Sequence, residues 1–153
     1  MPHISKRVRR FPQLILVISL VTLLVSVAAA DPVETKLLPS NPGFAARTGS
    51  GSAISNGFAL VGAQAADIGT GDTGAVFVFD LTTGAEVRTL APTPAVSNTF
   101  LGCSVAAYGN LVIGGAQLDD TAATNAGAAY IFDFTDGTQL HCLTASNAEE
   151  QAN

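Results

Sequence analysis

The chain has 153 residues, of which only 12% are charged, and a formal net charge of −5. This length allows one ordinary domain, and a hydrophobic content of 48% is too high for a disordered chain. Its 15 glycines, set among short β-branched and aromatic runs, favour an all-β protein.

Residues 1–30 have the features of a secretory signal peptide. Residues 11–27 are almost wholly apolar, residues 28–30 are alanines that fit a cleavage site, and the preceding basic residues are Lys6, Arg7, Arg9 and Arg10. An uncleaved membrane anchor is the alternative, but Pro12 and Gln13 leave the apolar stretch slightly short of the roughly 20 residues that span a bilayer. We therefore expect cleavage and export, to the medium, the periplasm or the cell surface.

Cleavage after residue 30 would leave three basic residues against twelve acidic residues, a net charge of −9. A chain this acidic should repel nucleic acid and anionic membranes. We expect no nucleic-acid partner, and membrane attachment only through an uncleaved signal. We interpret the acidic residues as groups that keep an apolar β protein soluble.

An internal repeat of 53 residues covers the rest of the chain. Residues 48–100 align with residues 101–153 without a gap and with fourteen identical pairs. The clearest matches are Gly62-Ala63-Gln64 with Gly115-Ala116-Gln117, Gly74-Ala75 with Gly127-Ala128, Phe79-Asp80 with Phe132-Asp133, Gly84 with Gly137, and Leu90 with Leu143. Self-similarity at such a period is typical of repeat architectures.

Each repeat predicts four short strands separated by turn residues. They cover residues 50–54, 58–61, 75–79 and 85–90 in the first repeat, and 103–107, 111–113, 128–132 and 138–143 in the second. Asn56-Gly57 and Gly109-Asn110 predict two-residue hairpin turns, and residues 80–84 and 133–137 predict short loops. The third strand is apolar on both faces, which indicates that both faces are buried.

Four-stranded sheets covered on both faces at this period fit the blades of a β-propeller. A β-solenoid is the rival, but its repeats are usually shorter and lack two hairpin turns each. Because Leu37 lies 53 residues before Leu90, we expect residues 31–47 to form a strand and linker ahead of the blade repeats 48–100 and 101–153. Our hypothesis is that this strand finishes the last blade of a closed propeller.

Three segments of the second repeat match, in the same order along the chain, the motifs of a known repeat family: Leu101-Gly102-Cys103-Ser104-Val105-Ala106, Val112-Ile113-Gly114-Gly115-Ala116-Gln117 and Gly127-Ala128-Ala129-Tyr130-Ile131-Phe132. They resemble the FG-GAP repeat of integrin α-subunit propellers and of many exported bacterial propellers. The first repeat is a weaker match, keeping Gly49, Ala53 and the segments 61–64 and 74–79. Both repeats have glutamine where the family usually has proline. The resemblance implies blades whose loops recognise protein or glycan.

Repeats of the integrin type often carry a calcium loop rich in alternating aspartates. The corresponding loops here, residues 65–72 and 118–125, offer two carboxylates each: Asp67 with Asp72, and Asp119 with Asp120. Calcium takes six to eight oxygen ligands, so only weak binding completed by backbone carbonyls would remain. We favour turn-forming and solvating roles for these residues and expect no metal site.

Little in the sequence points to catalysis. His141, the one histidine after residue 30, falls on a predicted outer strand, and neither a Ser-His-Asp set nor His/Cys metal spacing is present. Asp80 and Asp133 occupy equivalent turns, as turn formers do. We predict no enzymatic activity and no catalytic, cofactor-binding or metal-binding residues.

The two cysteines, Cys103 and Cys142, are predicted on the innermost and outermost strands of one sheet. Three strand spacings separate those strands by roughly 14 Å. A disulfide needs Cα atoms within about 7 Å. We therefore predict no disulfide within that sheet.

Two classes of function remain. The first is an exported binding or surface-interaction propeller with an extracellular protein or glycan ligand, which we favour. The alternative is a quinoprotein-like exported enzyme, because residues 79–84 and 132–137 look like the Asp-x-x-Thr-Gly turns of pyrroloquinoline-quinone propellers. Those families usually place a tryptophan in the outer strand, and this chain has none.

A third interpretation is a truncated chain without independent function. Propellers need about four to eight blades to close, and two blades leave faces bare and strand edges unpaired. Asn153 aligns with Phe100, one residue before the next repeat should begin. We expect a fragment of a larger propeller, with self-assembly or further blades needed to close it.

Overall fold

The structure is a computed structural model that describes residues 34–41 and 43–146. From Thr35 onward these residues belong to one compact unit. The signal peptide predicted at residues 1–30 lies outside the described residues. Within them there is no helix that could cross a membrane.

Eight β-strands account for the regular structure of the described residues. They are β1 (Thr48–Ser55), β2 (Phe58–Ala63), β3 (Ala75–Asp80), β4 (Glu86–Leu90), β5 (Leu101–Tyr108), β6 (Leu111–Ala116), β7 (Ala128–Asp133) and β8 (Gln139–Thr144). They form two four-stranded antiparallel sheets, sheet 1 (β1-β2-β3-β4) and sheet 2 (β5-β6-β7-β8). The predicted all-β fold, with four strands in each repeat, is confirmed.

The two sheets keep the same register 53 residues apart. Phe58 pairs with Asp80 at the end of the β2–β3 ladder, and Leu111 pairs with Asp133 at the end of the β6–β7 ladder. The β1–β2 turn has φ of 48° at Asn56 and 80° at Gly57, the signs of a type I′ turn. Such turns match the twist of a hairpin, so the local sequence fixes the pairing of the first two strands.

Asp80 and Asp133 each hold together the loop that follows them. The Oδ1 atom of Asp80 accepts hydrogen bonds from the backbone N–H of Thr82 at 2.7 Å and of Thr83 at 3.1 Å. The Oδ1 atom of Asp133 accepts one from the N–H of Thr135 at 2.9 Å. These are aspartate-centred turns, in which the carboxylate orders its own loop.

Sheet 1 and sheet 2 share one buried apolar cluster. Sheet 1 contributes Leu60, Val76, Val78 and Leu90, and sheet 2 contributes Leu101, Val112, Ala116, Tyr130 and Phe132, joined by Phe134. The rings of Phe58 and Phe134 meet edge-on with centroids 5.6 Å apart, a favoured aromatic geometry. Burial of this set makes the cluster the main cohesive contact between the sheets.

Two glycines of the repeat motif let the backbones of the two sheets touch. A Cβ atom on Gly62 would collide with the carbonyl oxygen of Gly102, and one on Gly102 would collide with the carbonyl oxygen of Ala75. Gly102 also has φ of 94°, which L side chains rarely adopt. The close approach of the two sheets therefore explains why glycine stands at positions 62 and 102.

The segment 35–40 contacts sheet 1 as the segment 88–93 contacts sheet 2. Thr35 and Leu37 lie beside Gly84, as Arg88 and Leu90 lie beside Gly137. The Oε2 atom of Glu86 accepts a hydrogen bond from the N–H of Ser40 at 2.6 Å. Its repeat-equivalent, the Oε1 atom of Gln139, accepts one from the N–H of Thr93 at 2.8 Å.

Residues 34–41 nevertheless form no strand. The equivalent strand β4 is held by its ladder with β3 of its own sheet. Within the described residues, no strand equivalent to β3 lies beside residues 34–41. The segment lies where an outer strand is expected, but it lacks the ladder hydrogen bonds of a strand. Its role in closing a propeller stays a prediction.

Candidate ligand-binding cleft

A cleft opens where the loops that follow β2 and β6 approach the chain that enters β1 and β5. Its volume is about 590 Å³, and residues of four segments line it: 44–47, 65–72, Phe100 and 117–118. Both repeats contribute to the walls. The volume lies within the usual range for small-molecule sites.

Backbone hydrogen bonds fix the wall of the cleft that belongs to the first repeat. The N–H of Ala65 donates to the carbonyl of Ala46 at 3.1 Å, and the N–H of Phe100 donates to the carbonyl of Asp72 at 3.1 Å. The Oδ1 atom of Asp67 accepts from the N–H of Asp72 at 2.9 Å. These bonds tie the entering chain to the loop, so the cleft is largely formed before any ligand arrives.

Four residues that line the cleft have a left-handed backbone. The φ angles are 55° at Ala45, 52° at Arg47, 51° at Asp72 and 57° at Phe100. Outside glycine, asparagine and aspartate this conformation is uncommon and costs on the order of 1 kcal/mol. Strain of this kind concentrates at functional sites, where the fold holds side chains in directions that the chain would not choose.

Three polar side chains line the cleft: the guanidinium of Arg47, the carboxylate of Asp72 and the amide of Gln117. Arg47 and Gln117 are exposed. Beside them the ring of Phe44 is 92% exposed, and that of Phe100 is half-buried. Hydrogen-bond donors, acceptors, the exposed ring of Phe44 and the half-buried ring of Phe100 thus line one concave surface.

Three of the four aspartates considered for calcium accept hydrogen bonds within their own loops. Asp67 accepts the bond from Asp72 described above, and Asp120 Oδ1 accepts one from the N–H of Asn125 at 2.6 Å. Asp119 is 1% exposed and accepts from the N–H of Thr121 at 2.8 Å. Within the described residues there is no group of three or more His, Cys, Asp or Glu side chains placed to hold a metal ion.

Asp119 forms instead a buried pair with Tyr130. The Tyr130 hydroxyl donates to Asp119 Oδ2 at 2.6 Å, and Tyr130 is 4% exposed. Burial, and then the hydrogen bond to Asp119, raise the pKa of Tyr130 above its usual value. The pair fastens the loop after β6 onto β7. The sequence contained a signal for this pair. The equivalent residues of the first repeat, Ala66 and Phe77, are both apolar, so both positions of the pair differ in polarity between the two repeats.

The remaining residues singled out in the sequence lie apart from the cleft. His141 is exposed on β8, opposite Ile131. Cys103 on β5 is half-buried and its Sγ atom lies 3.3 Å from the carbonyl oxygen of Gly115, whereas Cys142 on β8 is exposed. Both thiols are free, and their strands are the two edges of sheet 2.

Sequence reasoning missed the cleft itself. Phe44 and Arg47 fall in the segment 31–47, which the repeat pattern assigned only to a strand and linker. The available signal is that Arg47 aligns with Phe100: Arg47 directly precedes β1, and Phe100 directly precedes β5. The alignment shows that the two residues hold equivalent positions in their repeats, but it does not show that they line the same cavity.

No curated protein matches the chain. Residues 85–132, from just before β4 to the penultimate residue of β7, match the family described as "FG-GAP repeat". Such repeats are typically extracellular and generally non-catalytic, and they suggest a propeller-type interaction module. Over that span the resemblance seen in the sequence is confirmed, and the chain carries FG-GAP repeat sequence there.

Proposed function

We propose that this chain is an exported, non-catalytic binding module whose ligand site is the cleft between the loops of the two repeats. The observation that carries the proposal is the set of polar side chains, from Arg47, Asp72 and Gln117, that line the cleft beside the exposed ring of Phe44. In a pocket of ligand-sized volume, a few convergent polar groups are the usual signature of a binding site.

The family match supports a non-catalytic role. Residues 85–132 carry FG-GAP repeat sequence, and such repeats are generally non-catalytic.

The rigidity of the cleft supports the same function. Its side chains stand on loops held by backbone hydrogen bonds and by the stacked sheets, and its strained residues have their directions set by the fold. A preformed site loses little conformational entropy when a ligand binds. Export is supported by the signal-like residues 1–30 and by the extracellular character of FG-GAP repeats.

The test is a parallel selection on a glycan array and a displayed peptide library, using the full chain. We expect at least one ligand class whose binding falls at least tenfold in Arg47→Ala and in Phe44→Ala. Matched controls are Lys36→Ala, an exposed cation, and Tyr108→Ala, whose side chain is 87% exposed; neither residue lines the cleft. Circular dichroism melting of each variant separates loss of binding from loss of fold.

Selected ligands that bind equally well to the cleft variants and to the control variants would place the binding site elsewhere. The absence of any selected ligand would contradict the proposal outright.

A further inference from the structure

We infer that the ligand of the cleft is a carbohydrate with uncharged sugar units, one ring of which packs against an exposed phenylalanine while its hydroxyls bond the polar side chains of the cleft. This inference rests on the proposed function and names the chemistry of the ligand. Three properties of the cleft lead to it: its aromatic surface, its mixture of donors and acceptors, and its charge.

The aromatic surface comes from Phe44 and Phe100. With Phe44 92% exposed, most of an apolar ring stands in water at the rim of the cleft. Covering apolar surface is favourable in water, so a ligand with a flat apolar face gains from contact there. The C–H face of a pyranose ring is such a surface, and its axial hydrogens meet the electron-rich face of the phenyl ring.

The polar side chains supply both kinds of hydrogen-bonding partner. The Arg47 guanidinium only donates, the Asp72 carboxylate only accepts, and the Gln117 amide does both. A hydroxyl group donates one hydrogen bond and accepts up to two. Neighbouring hydroxyls on one sugar ring can therefore satisfy all three side chains, with the stronger charge-assisted bonds going to the arginine and the aspartate.

The charge of the cleft disfavours anionic ligands. One arginine faces two aspartates, Asp67 and Asp72, among the residues that line it. A polyanion would meet both carboxylates on a chain with twelve acidic and only seven basic residues. An uncharged ligand does not meet this repulsion.

A peptide is the competing ligand class. Peptides commonly bind by adding a strand to an exposed sheet edge or by inserting an apolar anchor into a deep pocket. The cleft is walled by loops and entry segments rather than by a strand edge, and its aromatic rings lie at the surface. Its geometry suits a ligand recognised through hydroxyls and a flat ring face.

The experiment is affinity electrophoresis of the full chain through gels that contain soluble polysaccharides. Neutral probes are dextran, laminarin, xylan, yeast mannan and galactomannan, and the charged probes are hyaluronan and chitosan. We expect retardation by at least one neutral polysaccharide, weakened at least tenfold in Arg47→Ala and Phe44→Ala and unchanged in Lys36→Ala and Tyr108→Ala. The loss of one charge-assisted hydrogen bond is worth about a factor of ten or more.

Other outcomes overturn the inference, and they do so separately from the proposed function. No retardation by any neutral polysaccharide, or retardation by the charged ones alone, would show that the ligand class is wrong. If a selected peptide then lost binding in Arg47→Ala, the cleft would remain the binding site and only its chemistry would change. Retardation that persists in both Arg47→Ala and Phe44→Ala would show that the polysaccharide binds outside the cleft.

Discussion

The two sheets share a repeat pattern but differ in what covers their equivalent faces. In sheet 1, Leu60 and Leu90 are at most 1% exposed, because sheet 2 packs against them. Their equivalents in sheet 2, Ile113 and Leu143, are 38% and 47% exposed. Similar residues at the same register thus have opposite environments. Burial in a repeat protein is set by the neighbouring unit as much as by the unit's own sequence.

Three hydrogen bonds from sheet 1 to sheet 2 depend on donor side chains that sheet 2 does not repeat. In sheet 1, Ser50 and Ser55 donate to the carbonyls of Gly102 and Gly109, and Asn56 donates to Asn110, each at 2.8 Å. The equivalents of these donors in sheet 2 are Cys103, Tyr108 and Gly109. The apolar stacking positions have been kept from one repeat to the other, whereas the hydrogen bonds that accompany stacking have not.

The largest expected difference is between Leu60→Ala and Ile113→Ala. Leu60 is wholly buried between the sheets, so its truncation leaves a cavity and should lower the unfolding free energy by about 2–5 kcal/mol. Ile113 is 38% exposed, and its truncation should cost about 1 kcal/mol. Urea unfolding of both variants measures the difference. Equal costs would mean that sheet 2 does not cover Leu60.

A smaller effect is expected at the Asp119–Tyr130 pair. Asp119→Ala leaves a buried hydroxyl without its acceptor, and Tyr130→Phe leaves a buried carboxylate with one donor fewer. Each should cost about 1–3 kcal/mol. The double variant recreates the Ala66/Phe77 pair of the first repeat and should recover part of the loss, a coupling that a double-mutant cycle in urea measures. Strictly additive costs would refute the pairing.

The same pair predicts a loss of stability at alkaline pH. Since the pKa of Tyr130 is raised in the fold, the unfolded chain ionises first, near pH 10. The contribution of Tyr130 is therefore complete below pH 10 and declines above it, by up to about 1.4 kcal/mol per pH unit. Unfolding free energies from pH 8 to 11 should fall more steeply in the wild type than in the double variant. Parallel curves would contradict the assignment.

The smallest effect is expected at the strained entry residues. Glycine adopts φ of 52° without steric cost, so Arg47→Gly should leave the unfolding free energy unchanged within about 1 kcal/mol while it abolishes ligand binding. Phe100→Gly relieves similar strain, but it removes a half-buried ring and should destabilise the protein more. Thermal melts of the two variants compare them directly. Strong destabilisation by Arg47→Gly would show that the arginine has a structural role.

The fold could be predicted from the sequence because the repeat marks every strand twice. Runs such as 75–79, apolar on both faces, indicated double burial, and the five residues Ala75–Phe79 are all buried. The same reasoning was wrong for β7, where Tyr130 and Phe132 are buried but Ile131 is only half-buried. The apolar pattern of a strand shows which of its faces can be buried, but it does not show whether a neighbouring sheet covers them.

The cleft could not be predicted, because its residues come from separate segments of both repeats. Positive φ could have been guessed at Asp72 and Asn125, since aspartate and asparagine tolerate it. At Arg47 and Phe100 the positive φ follows from the close approach between the segments that enter β1 and β5 and the loop at residues 65–72, which only the folded chain shows. Sequence reasoning therefore found the blade-like sheets and missed the site that their stacking creates.

Both repeats wall the cleft, so a shared site requires that sheet 1 stacks on sheet 2. The sharpest test is a nuclear Overhauser effect between the ring protons of Phe58 and Phe134, which lie far apart in sequence and meet only across the stacked sheets. Centroids 5.6 Å apart predict a clear cross-peak. Absence of that peak, with the cross-strand contacts of Leu60 with Val78 intact, would mean that the sheets fold without stacking and that no shared cleft exists.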